Sequence, residues 1–207
     1  MYDVEIQCNA KRIIPNNGYY PEDLDIPYRD PVQNVAIYKD DPILGLKYGL
    51  SLSYAITKVQ ITRPMPNEKW DPKAPEIITF NPLRMKQYKL FKSEFNEELI
   101  KKAMHPRIKG TIKIHAPEFI ASREWTPVDL LDTPAMTLFH EMTHLESVAG
   151  SSDGPGEDEV YGWIKVLENK FTGASTADNL AYFAILVDLI LNYGYDVEEN
   201  GTIFKIE

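Results

Sequence analysis

Apolar residues recur along this chain in two rhythms. In the first half they alternate over short runs, as in Val4-Glu5-Ile6-Gln7-Cys8 and parts of Leu50–Ile61, the period-2 pattern of strands. Twelve of the fifteen prolines fall before residue 118, which disfavours long helices there. Between Asn16 and Asp41 the density of Pro, Tyr and Asp predicts a long irregular arm or lid. Phe91–Met104 changes to a helical period, with Phe95, Leu99 and Ile100 facing inward, and Arg107–His115 returns to a strand.

The second half is helical in rhythm. One helix starts near Asp132, a plausible N-cap, with Pro134 in its first turn. Leu138, Phe139, Met142 and Leu145 give it an apolar surface, and Gly150 with the following Ser-Ser-Asp-Gly-Pro-Gly ends it. A longer helix covers about Thr176 to Tyr193, its broad apolar face formed by Leu180, Phe183, Ala184, Val187, Leu189 and Ile190. Asn200-Gly201 offers a tight turn between Tyr195–Val197 and Thr202–Ile206, a terminal hairpin. Strands and helices together predict an α+β architecture. No composition break or repeat divides the chain, so residues 1–207 are expected to form one domain.

The helix at residues 132–150 carries the chemistry. Its run His140-Glu141-Met142-Thr143-His144 is a complete HExxH motif. Residues four apart share a helix face, so His140 and His144 can reach one metal ion, with Glu141 one step round to hold a water that the metal polarises. A hydrolytic zinc site has three protein ligands and one open position. The metzincin continuation fails, because Ser147 and Gly150 stand where its Gly and third His belong. A downstream acid remains possible, with Glu157, Glu159 and Glu168 available.

The stretch Gly154-Pro155-Gly156-Glu157-Asp158-Glu159-Val160-Tyr161-Gly162, following HExxH, resembles the aspzincin signature of the deuterolysin and peptidyl-Lys metalloendopeptidase family, with Pro155 where that family has Thr. The resemblance implies a zincin-like fold, a small sheet over a helical subdomain that carries the active-site helix. It implies Asp158 as third zinc ligand and Tyr161 as the hydroxyl that steadies the oxyanion. Read from their positions alone, Asp158 could be a helix N-cap and Tyr161 a core aromatic. Ile112–Ile120 is similar to the family's segment before the zinc helix, and Ser175–Phe183 to its helix after the site. The match covers about residues 110 to 190; residues 1–105 are unmatched, and 106–207 form the zinc-site part.

By the same resemblance Asp178 corresponds to the first of two acids that favour lysine in the substrate pocket; the second position is Ala181. Asp178 is equally readable as a first-turn acid complementing a helix dipole. His115 could touch substrate or metal, or be structural on its strand.

The remaining composition narrows the partners. The net charge of −9 comes without a basic stripe, which argues against a nucleic-acid partner. The longest apolar run, Leu180–Leu191, is broken by Asp188 and too short to cross a bilayer, so no membrane partner is expected. Cys8 stands alone, so no internal disulfide can form, and it is expected as a small buried hydrophobe. The start Met1-Tyr2-Asp3-Val4-Glu5 lacks signal-peptide character, which leaves an intracellular location open beside the secretion implied by the family.

Together these features predict a zinc-dependent metalloendopeptidase acting on a peptide or protein. Two other readings stand beside it: a zinc enzyme converting a small molecule, and a zinc-binding relative without activity. Glu141 argues against the last, which has no need of a general base.

Overall fold

Strand β6 (Glu76–Phe80) is buried along its whole length, which suits the run Glu-Ile-Ile-Thr-Phe to the centre of a sheet. The computed structural model describes residues 4–18, 26–32, 35–39, 41, 43–44, 55–58, 75–82, 85–86, 89, 94–105, 126–153, 161–168 and 176–207. Their architecture mixes helices and small sheets, compatible with α+β. The chain resolves into two compact units: Met1–Phe91 with Leu145–Ser147, and Lys92–His144 with Val148–Glu207.

In the first unit, β1 (Val4–Gln7) pairs in parallel with β6, and β5 (Ala55–Lys58) pairs antiparallel on its other side. Glu76, buried at the start of β6, accepts from Glu146 N at 2.7 Å and from the Ser147 hydroxyl. A second sheet joins β2 (Ile14–Pro15), β3 (Tyr28–Asp30) and β4 (Val35–Ile37), all antiparallel. Within Asn16–Asp41, where an irregular arm is expected, the described residues 28–30 and 35–37 form strands instead. Pro27 precedes β3, Pro31 follows it and Pro15 lies on an edge strand, the places where a missing N–H is tolerated. Ala10, Ile13, Ile37, Ile43 and Leu44 pack together as a core of this unit.

Cys8 is exposed, contrary to expectation. Val4 and Ile6 are exposed on the same alternation, while Glu5 and Gln7 face the half-buried side. Arg12 explains the choice of face: its Nη1 donates to Gln7 Oε1 at 3.1 Å and to Thr79 Oγ1 at 2.8 Å, and its Nε to Asp30 at 2.6 Å. A guanidinium needs acceptors more than β1 needs to bury Ile6.

The second unit is built on helices. Helix α1 (Glu97–Ala103) is capped by Asn96, whose side chain accepts from Leu99 N. It is shorter than the predicted Phe91–Met104, but Ile100 is fully buried, with Phe95 and Leu99 packed beside it. A 3₁₀ turn (Pro127–Leu131) leads into α2 (Pro134–His144). Thr133, not Asp132, caps α2 through its hydroxyl to Met136 N at 3.3 Å. Helix α2 ends at His144, six residues before Gly150. Its buried side holds Thr137, Glu141 and Thr143, whereas Phe139 is exposed.

Helix α3 (Trp163–Glu168) follows Gly162, and α4 (Ala177–Asp188) is capped by Thr176 and runs into a π turn at Leu189–Tyr193. Helix α4 buries Ala177, Asp178, Ala181, Tyr182 and Ile185, so the predicted face was rotated: Phe183, Val187 and Ile190 are exposed. Both sides of this helix are apolar, and packing against Trp163, Ile100 and Val128 selected one of them. Among the described residues no helix is long and apolar enough to cross a membrane.

The terminal hairpin forms as predicted from β7 (Tyr195–Val197) and β8 (Ile203–Lys205), antiparallel. Gly201 at its tip has φ 77° and lies so close to Thr126 that an added Cβ would sit 2.1 Å from the hydroxyl oxygen. Its carbonyl accepts from Val128 N at 3.1 Å, which fastens the hairpin to the 3₁₀ turn. Asp129 of that turn is a hub, accepting from Thr126, from Trp163 N at 2.8 Å and from the Tyr182 hydroxyl.

Candidate metal centre

The last turn of α2 and the segment that leaves it form one cluster. After His144 the chain turns, passes Gly150 with φ 58°, and doubles back over the helix end. Ser151 N donates to Thr143 O at 2.9 Å, and the Ser151 and Thr143 hydroxyls meet at 2.8 Å. Ser152 O accepts from Ala177 N at 2.9 Å, pinning the segment to the start of α4. Asp153 is thereby held opposite both histidines.

His140 Nε2, His144 Nε2 and Asp153 Oδ1 converge, and these three residues can hold a metal ion. The nitrogens are 3.3 Å apart, and Oδ1 lies 3.3 Å from the first and 3.2 Å from the second. Two ligand atoms at about 2.0–2.1 Å from one tetrahedral zinc stand about 3.3 Å apart, so the triangle has the edge length of such a site.

The hydrogen positions agree with this. His144 Nδ1 lies 2.9 Å from Ser151 O, an acceptor only, so Nδ1 carries the hydrogen. His140 Nδ1 faces Asp178 Oδ1 at 2.7 Å, again an acceptor. In the neutral rings both Nε2 atoms then present lone pairs toward each other and toward a carboxylate oxygen. Asp153 Oδ1 is shut off from solvent and, among the described residues, faces the two Nε2 atoms. Three acceptors meeting without a donor require a cation, either a metal or an added proton.

The electrostatics of the metal-free cluster show that demand. Burial pushes the His140 pKa down, but the carboxylates of Asp153 and Asp178 at its two ring nitrogens, with the charge of Glu141, outweigh it and hold the pKa at about 10. His144 is raised as well: burial opposes the shift, and Asp153 with the Ser151 carbonyl prevails. Asp153 moves the other way, below the usual carboxylate range, because the histidines outweigh its own burial.

Around this triangle stand three more of the predicted residues. Glu141, next to His140 on α2, is buried. The ring of Tyr161 stacks on that of His140, with centroids 6.0 Å apart and planes 26° apart. Asp178 lies behind His140, with its second oxygen accepting from Gly162 N at 2.7 Å. It lies in the first turn of α4, one of the two readings the sequence left open. Asp158 and His115 lie outside the described residues.

Asp153 had not been singled out in the sequence, where Ser-Ser-Asp-Gly read only as the end of a helix. The available signal was a glycine able to reverse the chain, followed within three residues by an acid. No protein-family model, curated protein or solved structure matches the chain.

Proposed function

We propose that this chain is a zinc-dependent metalloendopeptidase of zincin-like fold, with His140, His144 and Asp153 holding the metal. The observation that carries the reading is the triangle of His140, His144 and Asp153 with Glu141 buried beside it, an HExxH helix completed by a carboxylate. Asp158 is the third ligand by resemblance; the separations of 3.2 and 3.3 Å favour Asp153. Two imidazoles and one carboxylate are a donor set suited to zinc, which supports that ion.

When bound, zinc polarises a carbonyl and lowers the pKa of water. The protein's own groups carry the proton. Glu141 accepts it from the attacking water and returns it to the leaving amine. Tyr161, adjacent to the ring of His140, supplies a hydroxyl to share the charge that develops on the carbonyl oxygen. A peptide would lie by backbone pairing along an edge strand, for which Ile112–His115 was the expected segment.

The test compares zinc-loaded protein with Glu141→Gln on an unfolded protein substrate, with fragments read by mass spectrometry. Wild-type cleavage with a drop of about 10²–10⁴-fold in the variant, at unchanged zinc content, is the expected outcome. Absence of cleavage by wild-type protein that binds zinc one to one would end the peptidase reading and turn the search to small-molecule substrates.

A further inference from the structure

Asp178 carries its charge into the second unit's interior, where it is only 7% exposed. It belongs to the first turn of α4, downstream of the Thr176 cap. Both of its oxygens are in use. One lies 2.7 Å from His140 Nδ1 on α2, and the other accepts from Gly162 N at 2.7 Å. A charge-assisted bond of that length is strong, and its geometry selects the ring tautomer that leaves Nε2 free. A carboxylate so enclosed and so engaged has little left to offer a lysine ammonium.

Two segments meet on this single side chain. Helix α2 brings the ligand His140, and the turn before α3 brings Gly162, whose neighbour Tyr161 stacks on His140. Gly162 has φ 88°, a conformation that aims its N–H at the carboxylate without strain. The carboxylate therefore fixes ring and tyrosine backbone together.

We infer that Asp178 is a positioning residue for His140 and for the Tyr161–Gly162 turn, and that it does not select lysine in the substrate. The inference rests on the proposed metal site. A carboxylate on the far nitrogen of a metal-binding imidazole holds the ring in place and raises its basicity, and its loss weakens metal binding by about 10–100-fold.

The experiment uses the full chain and zinc itself. Zinc affinity is measured by competition with a chromophoric chelator for wild type, Asp178→Asn and Asp178→Glu. The zinc-loaded proteins are also examined by ¹⁵N-correlated NMR for the imidazole tautomers, and their cleavage sites are mapped. Asparagine keeps the shape but has one acceptor for two donors. The expected result is a fall of about 10–100-fold for Asp178→Asn with partial recovery in Asp178→Glu. The His140 Nδ1–H signal should be lost or displaced in the Asn variant, and the residues flanking the cuts should not change.

Zinc affinity within about twofold of wild type, with cuts beside lysine selectively lost, would overturn the inference and restore the substrate-pocket role. Loss of affinity in both variants, accompanied by unfolding of their zinc-free forms, would reduce Asp178 to a purely structural acid and also overturn it. Failure of the wild type to bind zinc is a separate outcome, since it removes the metal site before any variant is considered.

Discussion

Each of the two units buries a polar cluster, and the clusters are opposites. Around Arg12 the charges close on themselves: Nε meets Asp30 at 2.6 Å, Nη1 meets Gln7 and Thr79, and Asp30 accepts from Val32 N at 2.9 Å. Donors face acceptors, leaving Nη2 without a partner among the described residues. Around His140 it is acceptors that face each other, at 3.2–3.3 Å, while the ring donors are turned outward. A cluster that satisfies itself has structural work to do. One whose positive centre is a proton on His140 can exchange that proton for a metal.

The sharpest way to break this contrast is to remove the cation that the first cluster already owns. Arg12→Ala takes the guanidinium from Asp30, which is 1% exposed, and should lower unfolding free energy by about 3–5 kcal/mol in urea titrations. A loss below about 1 kcal/mol would show that the pair behaves as a surface ion pair and that the two clusters are not opposites.

Next in size is the removal of an acceptor from the second cluster. Asp153→Ala should weaken zinc by about 100-fold or more, beyond the range of an outer-shell change, whereas Asp158→Ala should leave it within about threefold. The reverse pattern in equilibrium dialysis would hand the third position to Asp158.

A further effect is graded by pH. The metal-free His140 pKa of about 10 lies above its ordinary 6.5. Its protonation therefore stabilises the metal-free fold fully below pH 6.5, and that contribution is lost as pH rises through 10. Zinc must displace the same proton, so its affinity should rise up to about tenfold per pH unit inside that window. Calorimetry in buffers of different ionisation enthalpy counts the released protons, and a flat affinity profile would contradict the buried acceptor cluster.

Part of this was legible in the sequence because it depends on neighbours along the chain. The i, i+4 histidines, the Asn200-Gly201 turn and the helix over Glu97–Ala103 all need only local geometry. What failed depended on partners far away. Gln7 turned inward because Arg12 waits there, with Glu5 on the same face accepting from Gln7, which left Val4, Ile6 and Cys8 outside. Helix α4 has apolar residues all round, so its pattern could not say that Phe183 would be exposed and Asp178 buried. Asp153 was missed because its proximity to His140 comes from a reversal at Gly150, and a turn shows in sequence without showing what it returns to.

The hairpin tip locked at Thr126 has a bearing on the order in which the molecule is made. Ile203, on its second strand, belongs to the same core as Ile100 and Val128, so that core is incomplete until residue 203 exists. A ribosome adding about 5–20 residues per second reaches it roughly 3–12 s after His144. Through that interval the two histidines are already synthesised while the core of their unit is still unfinished. Under the proposed metal site, zinc offered during translation would meet a nascent chain and zinc offered afterwards a finished centre, so loading at the two times would differ in rate even with the same final complex.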